Sequence, residues 1–409
     1  MNGTIPGAPE PEPFGKRLQR LRTRQGMTRD VLGGLVGKGG RWVKAVETGQ
    51  LLQPKLDMLM RLSEALRVDL AELAGHPAAS LRALSTPGHP ALAAVREAIN
   101  AVPWGADVPA QPLVVLQARL DAAWRARHAS PDHRTVLGAI LPALITDCQQ
   151  AVRAYSGDDG RRARAIMAQV YNLTQFFVAY QPDGGLLWRV AERGMAAALE
   201  SDDAHAIGGA VWLLTQAHRD AGEFDEAERV NIQALEFLKP RLADSGDQAA
   251  ATYGALLFEA GYTAARAGAR GVAWGFWDRA DRIAQRLPGD FYDPMTSFSK
   301  IVMGAHAVTV AVEAQQKAEG LRQARRSLGL AIPSRPRRGR HLIEVARAFD
   351  RAGETAGALG TLTMAFNAAP ETIRFNGYAR KMVSDMTADG PAGLRRDAAE
   401  LAERIGVPA

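Results

Sequence analysis

The sequence predicts an all-α protein in two parts: a compact five-helix domain over residues 14–75 and a long α-solenoid of helix pairs over residues 91–409. Three observations carry this. Apolar residues recur at helical spacing almost throughout, and the alternating Val/Ile/Tyr pattern of strands is missing. Turn formers cluster from Gly75-His-Pro-Ala-Ala-Ser80 to Thr86-Pro-Gly-His-Pro90, which reads as a linker over 76–90. A pattern of small residues repeats only beyond that linker.

Bulk properties narrow the class. The 409 residues suffice for two or three domains, and 47% hydrophobic with 23% charged residues is ordinary globular composition. No run of eighteen apolar residues occurs, so no membrane span is expected. Residues 1–13 are Pro-rich and acidic, read as a disordered segment without the basic start and apolar core of a secretory signal. The single cysteine, Cys148, excludes an intramolecular disulfide and a Cys-based zinc site. It is expected to be a reduced core thiol in a cytoplasmic protein. Of the net charge of +6, the segment Phe14–Gly75 holds twelve Lys/Arg against six Asp/Glu, which is the whole excess. A locally basic domain on a near-neutral body suits a polyanionic partner.

In the first domain, helix 1 is expected over Phe14–Arg24, with Phe14, Leu18 and Leu21 on one face and Gly26 ending it. Thr28 caps helix 2, whose Val31, Leu32 and Leu35 are expected to point inward and whose Asp30 sits near the positive helix end. Gly37 makes a tight turn into helix 3, about Gly40–Thr48, with Val43 and Val46 inward and Gly49 ending it. Pro54 opens helix 4, striped by Leu56, Leu59, Leu62 and Leu66, and a short helix 5 spans Leu70–Ala74.

The run Phe14-Gly15-Lys16-Arg17-Leu18, then Gly26-Met27-Thr28, Gly37, Trp42-Val43, Val46-Glu47-Thr48-Gly49 and Pro54 with Leu59, Leu62, Ala65 and Leu66 resembles the xenobiotic-response-element (XRE) helix-turn-helix family, which includes the lambdoid phage repressors. The resemblance implies a lambda-repressor-like domain whose helix 3 enters the major groove of a double-stranded DNA operator. The expected DNA-binding residues are Thr28, Arg29, Lys38, Arg41, Trp42, Lys44 and Lys55. Lys38, Arg41 and Lys44 suit guanine or phosphate, Trp42 a thymine methyl or sugar, and Arg29 and Lys55 phosphate. The family also implies that Glu47 pairs with an arginine of helix 1 such as Arg22. Gly39 and Gly40 depart from the family's polar residues there and forfeit side-chain readout. The segment Gly34 to Gly39 lacks the spacing of a phosphate loop.

In the second domain, a glycine between two helices precedes, by five residues, a pair of alanines seven apart. Gly222 leads to Ala227 and Ala234, Gly268 to Ala273 and Ala280, and Gly353 to Ala358 and Ala365. Ala191 with Ala198 and Ala324 with Ala331 form copies without the glycine. Over roughly Gly160 to Pro370 this resembles a tetratricopeptide array, in which small residues let paired helices approach closely. The spacings between copies exceed that family's 34-residue period, except between the last two, so longer helices or loops are expected.

Aligning the copies puts Phe176, Tyr180, Trp212, Gln216, Arg219, Phe258, Tyr262, Arg266, His306 and Arg347, with Glu313 and Arg351, on the concave side as the expected ligand-binding wall. An XRE domain ahead of tetratricopeptide repeats is the architecture of the RRNPP quorum-sensing regulators, and that resemblance implies a homodimer with a regulatory peptide, or another small ligand, in the groove. Asn172 and Asn231 are the central asparagine candidates for such a peptide. The alternative is a DNA-binding adaptor whose repeats dock a partner protein; Arg335-Pro-Arg-Arg-Gly-Arg340, read first as a solvated loop, is available for that or for DNA-phosphate contacts. The eight histidines show no metal-ligand spacing and no G-x-S-x-G occurs, so neither an enzyme nor a metal or other cofactor is expected.

Overall fold

In the computed structural model, residues 12–51, 53–54, 56–68, 70–74, 88–102, 109–242 and 246–407 are described. They form twenty-one helices and divide into two compact units, 12–74 and 88–407. The expected segment 1–13 and linker 76–90 lie largely outside the described residues. The end of that linker belongs to the second unit, for His89 is buried there and its amide donates to Gln181 Oε1 at 2.8 Å.

The first unit holds α1 (Phe14–Arg24), α2 (Arg29–Leu35), α3 (Gly40–Glu47), α4 (Leu56–Leu66) and α5 (Leu70–Ala74). Leu18, Leu21, Leu32, Val43, Val46, Leu59, Leu62, Leu66 and Leu73 make its core. Thr28 caps α2 as expected, its Oγ1 accepting from the Val31 amide at 3.2 Å. Gly37 turns the chain at φ +72°, a conformation that costs an L side chain roughly 1–2 kcal/mol. Two expectations for α2 fail: Val31 and Leu35 are 50% and 59% exposed. Leu32 and Val36, one turn apart, take the inward positions. Residues 31 and 35 each lie about 100° round the helix from them.

The second unit opens with α6 (Leu92–Asn100), α7 (Leu113–Ala129) and α8 (His133–Ala154). Five helix pairs follow: α9 (Gly157–Val178) with α10 (Gly184–Ser201), α11 (Ala204–Asp220) with α12 (Phe224–Leu242), α13 (Gly246–Arg266) with α14 (Arg270–Ala284), α15 (Lys300–Glu313) with α16 (Lys317–Ser327), and α17 (Arg335–Ala352) with α18 (Thr355–Ala368). Then come α19 (Pro370–Arg374), α20 (Gly377–Asp389) and α21 (Ala392–Ile405). Helix α8 is long and apolar enough to cross a membrane by composition. Its Leu137, Leu141, Leu144, Ile145 and Cys148 are buried in the unit's core, and burial pushes the Cys148 thiol up to about 12.

The repeat signature has a structural reading. Gly222, Gly268 and Gly353 take left-handed φ values of +75°, +84° and +81°, two residues ahead of α12, α14 and α18. The alanines they announce stand at the fourth and eleventh positions of those outer helices, and all six are buried against the inner helices. The copy assigned to Ala324 and Ala331 is corrected. Ala331 is exposed and lies beyond the end of α16. In that pair Gln315 holds the left-handed turn at φ +57°, and the small residues at positions four and eleven are Gly320 and Ser327, both buried. The long spacings arise from the 19 residues of α12, the 21 of α13 and a connection over 285–299 between α14 and α15.

Each inner helix packs on the next, from α7 through α9, α11, α13 and α15 to α17, and α17 returns to α7. The expected open groove is therefore a closed ring. Glu371 on α19 secures it. Its carboxylate accepts from the amides of Arg134 (2.5 Å) and Thr135 (3.2 Å) and from Thr135 Oγ1 (2.6 Å), capping α8 from 237 residues away. Helix N-terminal amides are orphan donors with a positive dipole end, and a carboxylate there is favourable on both counts. Glu371→Ala is expected to lower unfolding free energy by at least about 2 kcal/mol, because hydrogen bonds to a charged group contribute roughly 1.5–3 kcal/mol. Denaturant unfolding checks this, and small-angle scattering should show the second unit expanded.

Candidate functional site

In the first unit, the α2–turn–α3 geometry is fixed from the inside. Arg22 grips Glu47 with two nitrogens, at 2.5 and 3.3 Å, tying α1 to α3, and Arg22 Nη1 also donates to the Met27 carbonyl at 2.6 Å. Glu47 is 3% exposed. Arg29 Nε donates to the same carboxylate at 2.7 Å, so this side chain, expected to meet phosphate, also belongs to the Glu47 ion cluster while staying 37% exposed. Sequence reasoning missed that role because it assigned Glu47 a single partner. Gly40 passes close to α2: a Cβ there would displace the Asp30 carboxylate and come within 3.0 Å of the Asp30 amide nitrogen.

With Val43, Val46 and Glu47 turned inward, Arg41 and Lys44 are exposed on the outer face of α3. Lys38 and Trp42 are half-buried, and Thr28 is exposed beside its cap. Lys55 lies outside the described residues. An exposed helix with two cations one turn apart, held behind a tight turn, is the geometry that places a helix against base edges and phosphates.

In the second unit, all ten expected ligand residues fall on or at the end of the inner helices α9, α11, α13, α15 and α17. Not all of them line open space. Trp212, Arg219, Phe258, His306 and Arg347 are buried in contacts with one another and with neighbours, as ring closure requires. Phe258 stacks on His306 with centroids 3.4 Å apart, and Phe176 meets Trp124 edge-on at 5.7 Å. Gln216, Tyr262, Arg266 and Phe176 are half-buried, and Tyr180 is exposed. Asn172 is fully buried with Nδ2 3.2 Å from Met295 Sδ, so the 285–299 connection occupies the place expected for a peptide contact. Asn231 is likewise buried, on the outer helix α12.

Arginines and carboxylates meet on the ring axis. Arg219 pairs with Glu259 beneath the Tyr262 ring, 4.0 Å away. Arg266 reaches Asp220 at 3.0 Å and Glu313 at 3.9 Å. Arg347 bridges Glu313 (2.8 Å) and Glu344 (2.6 Å), and Arg340 meets Glu344 at 2.7 Å. Burial opposes the charge on Arg219, Arg266, Arg340 and Arg347, but their carboxylates outweigh it and raise each pKa. Burial also opposes the Glu313 charge, and Arg347 with Arg266 reverses the balance and lowers it.

Sequence reasoning missed Arg127, Arg134, Arg337 and Arg340. The segment Arg335–Arg340, read as a loop, is the first turn of α17. Its signals were present: Ser334 caps the helix and Pro336 occupies the first turn, where its missing N–H costs nothing. Arg337 and Arg340 turn inward, while Arg335 and Arg338 bond the carbonyls of Ala368 and Ile332 at 2.9 and 3.0 Å.

Comparison with known proteins bears on the first unit. Residues 13–75 match the family model described as a helix-turn-helix domain. No curated protein matches the chain. Among solved structures, PlcR from Bacillus thuringiensis, in complex with the peptide PapR7 and DNA, aligns at 11% identity with a TM-score of 0.29, covering 67% of this chain and 95% of its own. Similarity at that level does not separate one helical array from another.

Two predictions follow from these geometries. Glu47→Gln should cost about 3–5 kcal/mol in the first unit's unfolding, because it leaves two arginines without their buried carboxylate; chemical denaturation of the full chain measures it. His306 is held neutral, well below the ordinary histidine value of about 6.5, by burial first and then by Arg337 and His341. A depressed histidine lets the unfolded chain bind the extra proton, so stability falls as pH drops below about 6.5, with a slope near 1.4 kcal/mol per pH unit for this group. His306→Gln should flatten the acid limb of the stability profile by about one proton. Through its sequence match and its exposed α3, the segment 13–75 is a helix-turn-helix DNA-binding domain.

Proposed function

We propose that the protein is a cytoplasmic transcription regulator that binds an operator as a homodimer and whose second unit takes a regulatory ligand, a peptide or another small molecule. The observation that carries the reading is the pairing of a helix-turn-helix domain, its Arg41 and Lys44 exposed on α3, with a separate ring whose axis is lined by half-buried aromatic and charged side chains. Such an axis suits a ligand: rings cover apolar parts, while arginines hold carboxylates or phosphates. The protein acts in this reading by binding alone, without a chemical step of its own.

Homodimerisation follows from affinity. One such domain reads only a few base pairs, so two half-sites with centres about 34–36 Å apart, or a multiple of that, give useful specificity. For the adaptor alternative the basic run at Arg335–Arg340 is a helical segment of α17, with Arg335 and Arg338 bonded to the carbonyls of Ala368 and Ile332.

Selection of duplex sites from genomic DNA, followed by affinity measurement, tests the reading. On the selected site Arg41→Ala should cost about 1–3 kcal/mol and relax the preference at one base position. Lys44→Ala should flatten the salt slope by about one unit if it meets phosphate. A chain lacking residues 1–75 should not bind, and retained site-specific binding by it would overturn the proposal.

A further inference from the structure

Charge on the ring axis is not balanced. Arg219, Arg266, Arg340 and Arg347 each face a carboxylate, but among the described residues Arg127 and Arg337 make no ion pair. Each donates instead to a histidine ring nitrogen: Arg127 Nη1 to His128 Nδ1 at 3.3 Å, and Arg337 Nη2 to His306 Nδ1 at 3.1 Å. His128 Nε2 lies 2.8 Å from the Pro294 carbonyl, which only accepts, so Nε2 carries the proton and Nδ1 is the acceptor. Burial holds the His128 ring neutral, lowering it to about 3, with Arg127 acting in the same direction. Neither arginine therefore has a direct carboxylate partner, although Glu344 and Glu259 lie near enough to favour the charge of Arg337.

The remaining donors there are also underused. Arg127 is 6% exposed, and its Nε has no hydrogen-bond partner. Its guanidinium lies 3.8 Å from the Phe176 ring centroid. Burial lowers Arg127 to about 9, and the neighbouring charges of Arg134 and Arg337 add to that. The Tyr292 hydroxyl sits beside those of Ser297 and Ser334 without a well-formed hydrogen bond to either. His128 joins these parts: it meets Tyr292 edge-on at 5.7 Å, and its Nδ1 is 2.8 Å from Ser334 Oγ at the start of α17. Arg337 and Tyr292 are half-buried as residues, while the Tyr292 hydroxyl and Arg127 Nε are themselves buried without partners. Burying a cation without a partner costs several kcal/mol, and the chain does so where α7, the 285–299 connection and α17 converge.

We infer that Arg127, Arg337 and Tyr292 form a binding site for an oxyanion, the phosphate or carboxylate group of a small ligand, at the seam where α7 meets α17. Guanidinium groups match either oxyanion through paired N–H donors, and a phenol adds a third donor. The inference rests on the second unit being a ligand receiver and supplies the chemical class of that ligand.

Thermal melting of the full chain in inorganic phosphate, in acetate and in sodium chloride at matched ionic strength tests it. Phosphate or acetate should raise Tm above the chloride value. A rise with phosphate alone assigns a phosphate ligand, and a rise with acetate assigns a carboxylate. In Arg127→Met and in Arg337→Met the increment should vanish, while Tm in chloride should stay level or rise, because an uncompensated charge has gone. Arg266→Met, which removes a cation from beside Asp220 and Glu313, should lower Tm and keep the increment. The inference is overturned if neither oxyanion exceeds chloride, if the increment survives in Arg127→Met, or if Arg127→Met and Arg337→Met melt as low as Arg266→Met. Operator affinity measured in the same buffers reports separately on regulation: a site that fills without changing it stands, and the regulatory reading falls.

Discussion

The architecture of the second unit depends on one carboxylate. Helical repeats ordinarily form an open, one-dimensional stack in which each unit touches only its neighbours. Here Glu371 reaches back across 237 residues to cap α8, and α17 packs on α7. Closure changes the meaning of every inner residue. Side chains that would line a solvent-filled groove are pressed together on an axis, and their charges must find partners there or remain costly. The ion pairs of Arg219, Arg266, Arg340 and Arg347 are consequences of that geometry.

What was legible in the sequence was local. The bounds of α1 and α5 and the cap at Thr28 follow from capping chemistry and turn residues that act within a few positions. The glycine-led alanine pairs were legible because small size at a helix crossing is a strict steric demand. The same rule misled where identity was taken for size. In α16 a glycine and a serine meet the demand and a glutamine makes the turn, so the alanines nearby gave the wrong register. In α2 the period was right but its phase was not, because seven residues carry too few apolar positions to fix which stripe faces the core.

The candidate sites divide along the same line. Arg41 and Lys44 were found because a motif fixes the face of α3 they occupy. The link of Arg29 to Glu47, 18 residues away, was not legible because it belongs to tertiary packing. On the ring axis, the expected aromatics and arginines are inner residues, but which are spent on partners depends on closure between α7 and α17. No spacing rule reports a contact such as His128 with Ser334, separated by 206 residues.

Closure also gives the seam a particular leverage. In an open array a ligand bends the repeats it touches and little else. In a ring, anything that strengthens or weakens the meeting of α7 with α17 acts on the whole circuit, because the strain has no free end at which to relax. The unpaired arginines sit at that meeting point, with Tyr292 and Ser334 between them. An anion bound there removes a repulsion that opposes closure, so it stabilises the closed ring by its differential affinity for that state and by no more. The conformational consequence therefore follows from where the charge is left unbalanced. The same arginines placed mid-array and bonded directly to a carboxylate, as Arg219 is to Glu259 and Arg347 to Glu313, would be neutralised in advance and would leave a ligand nothing to change.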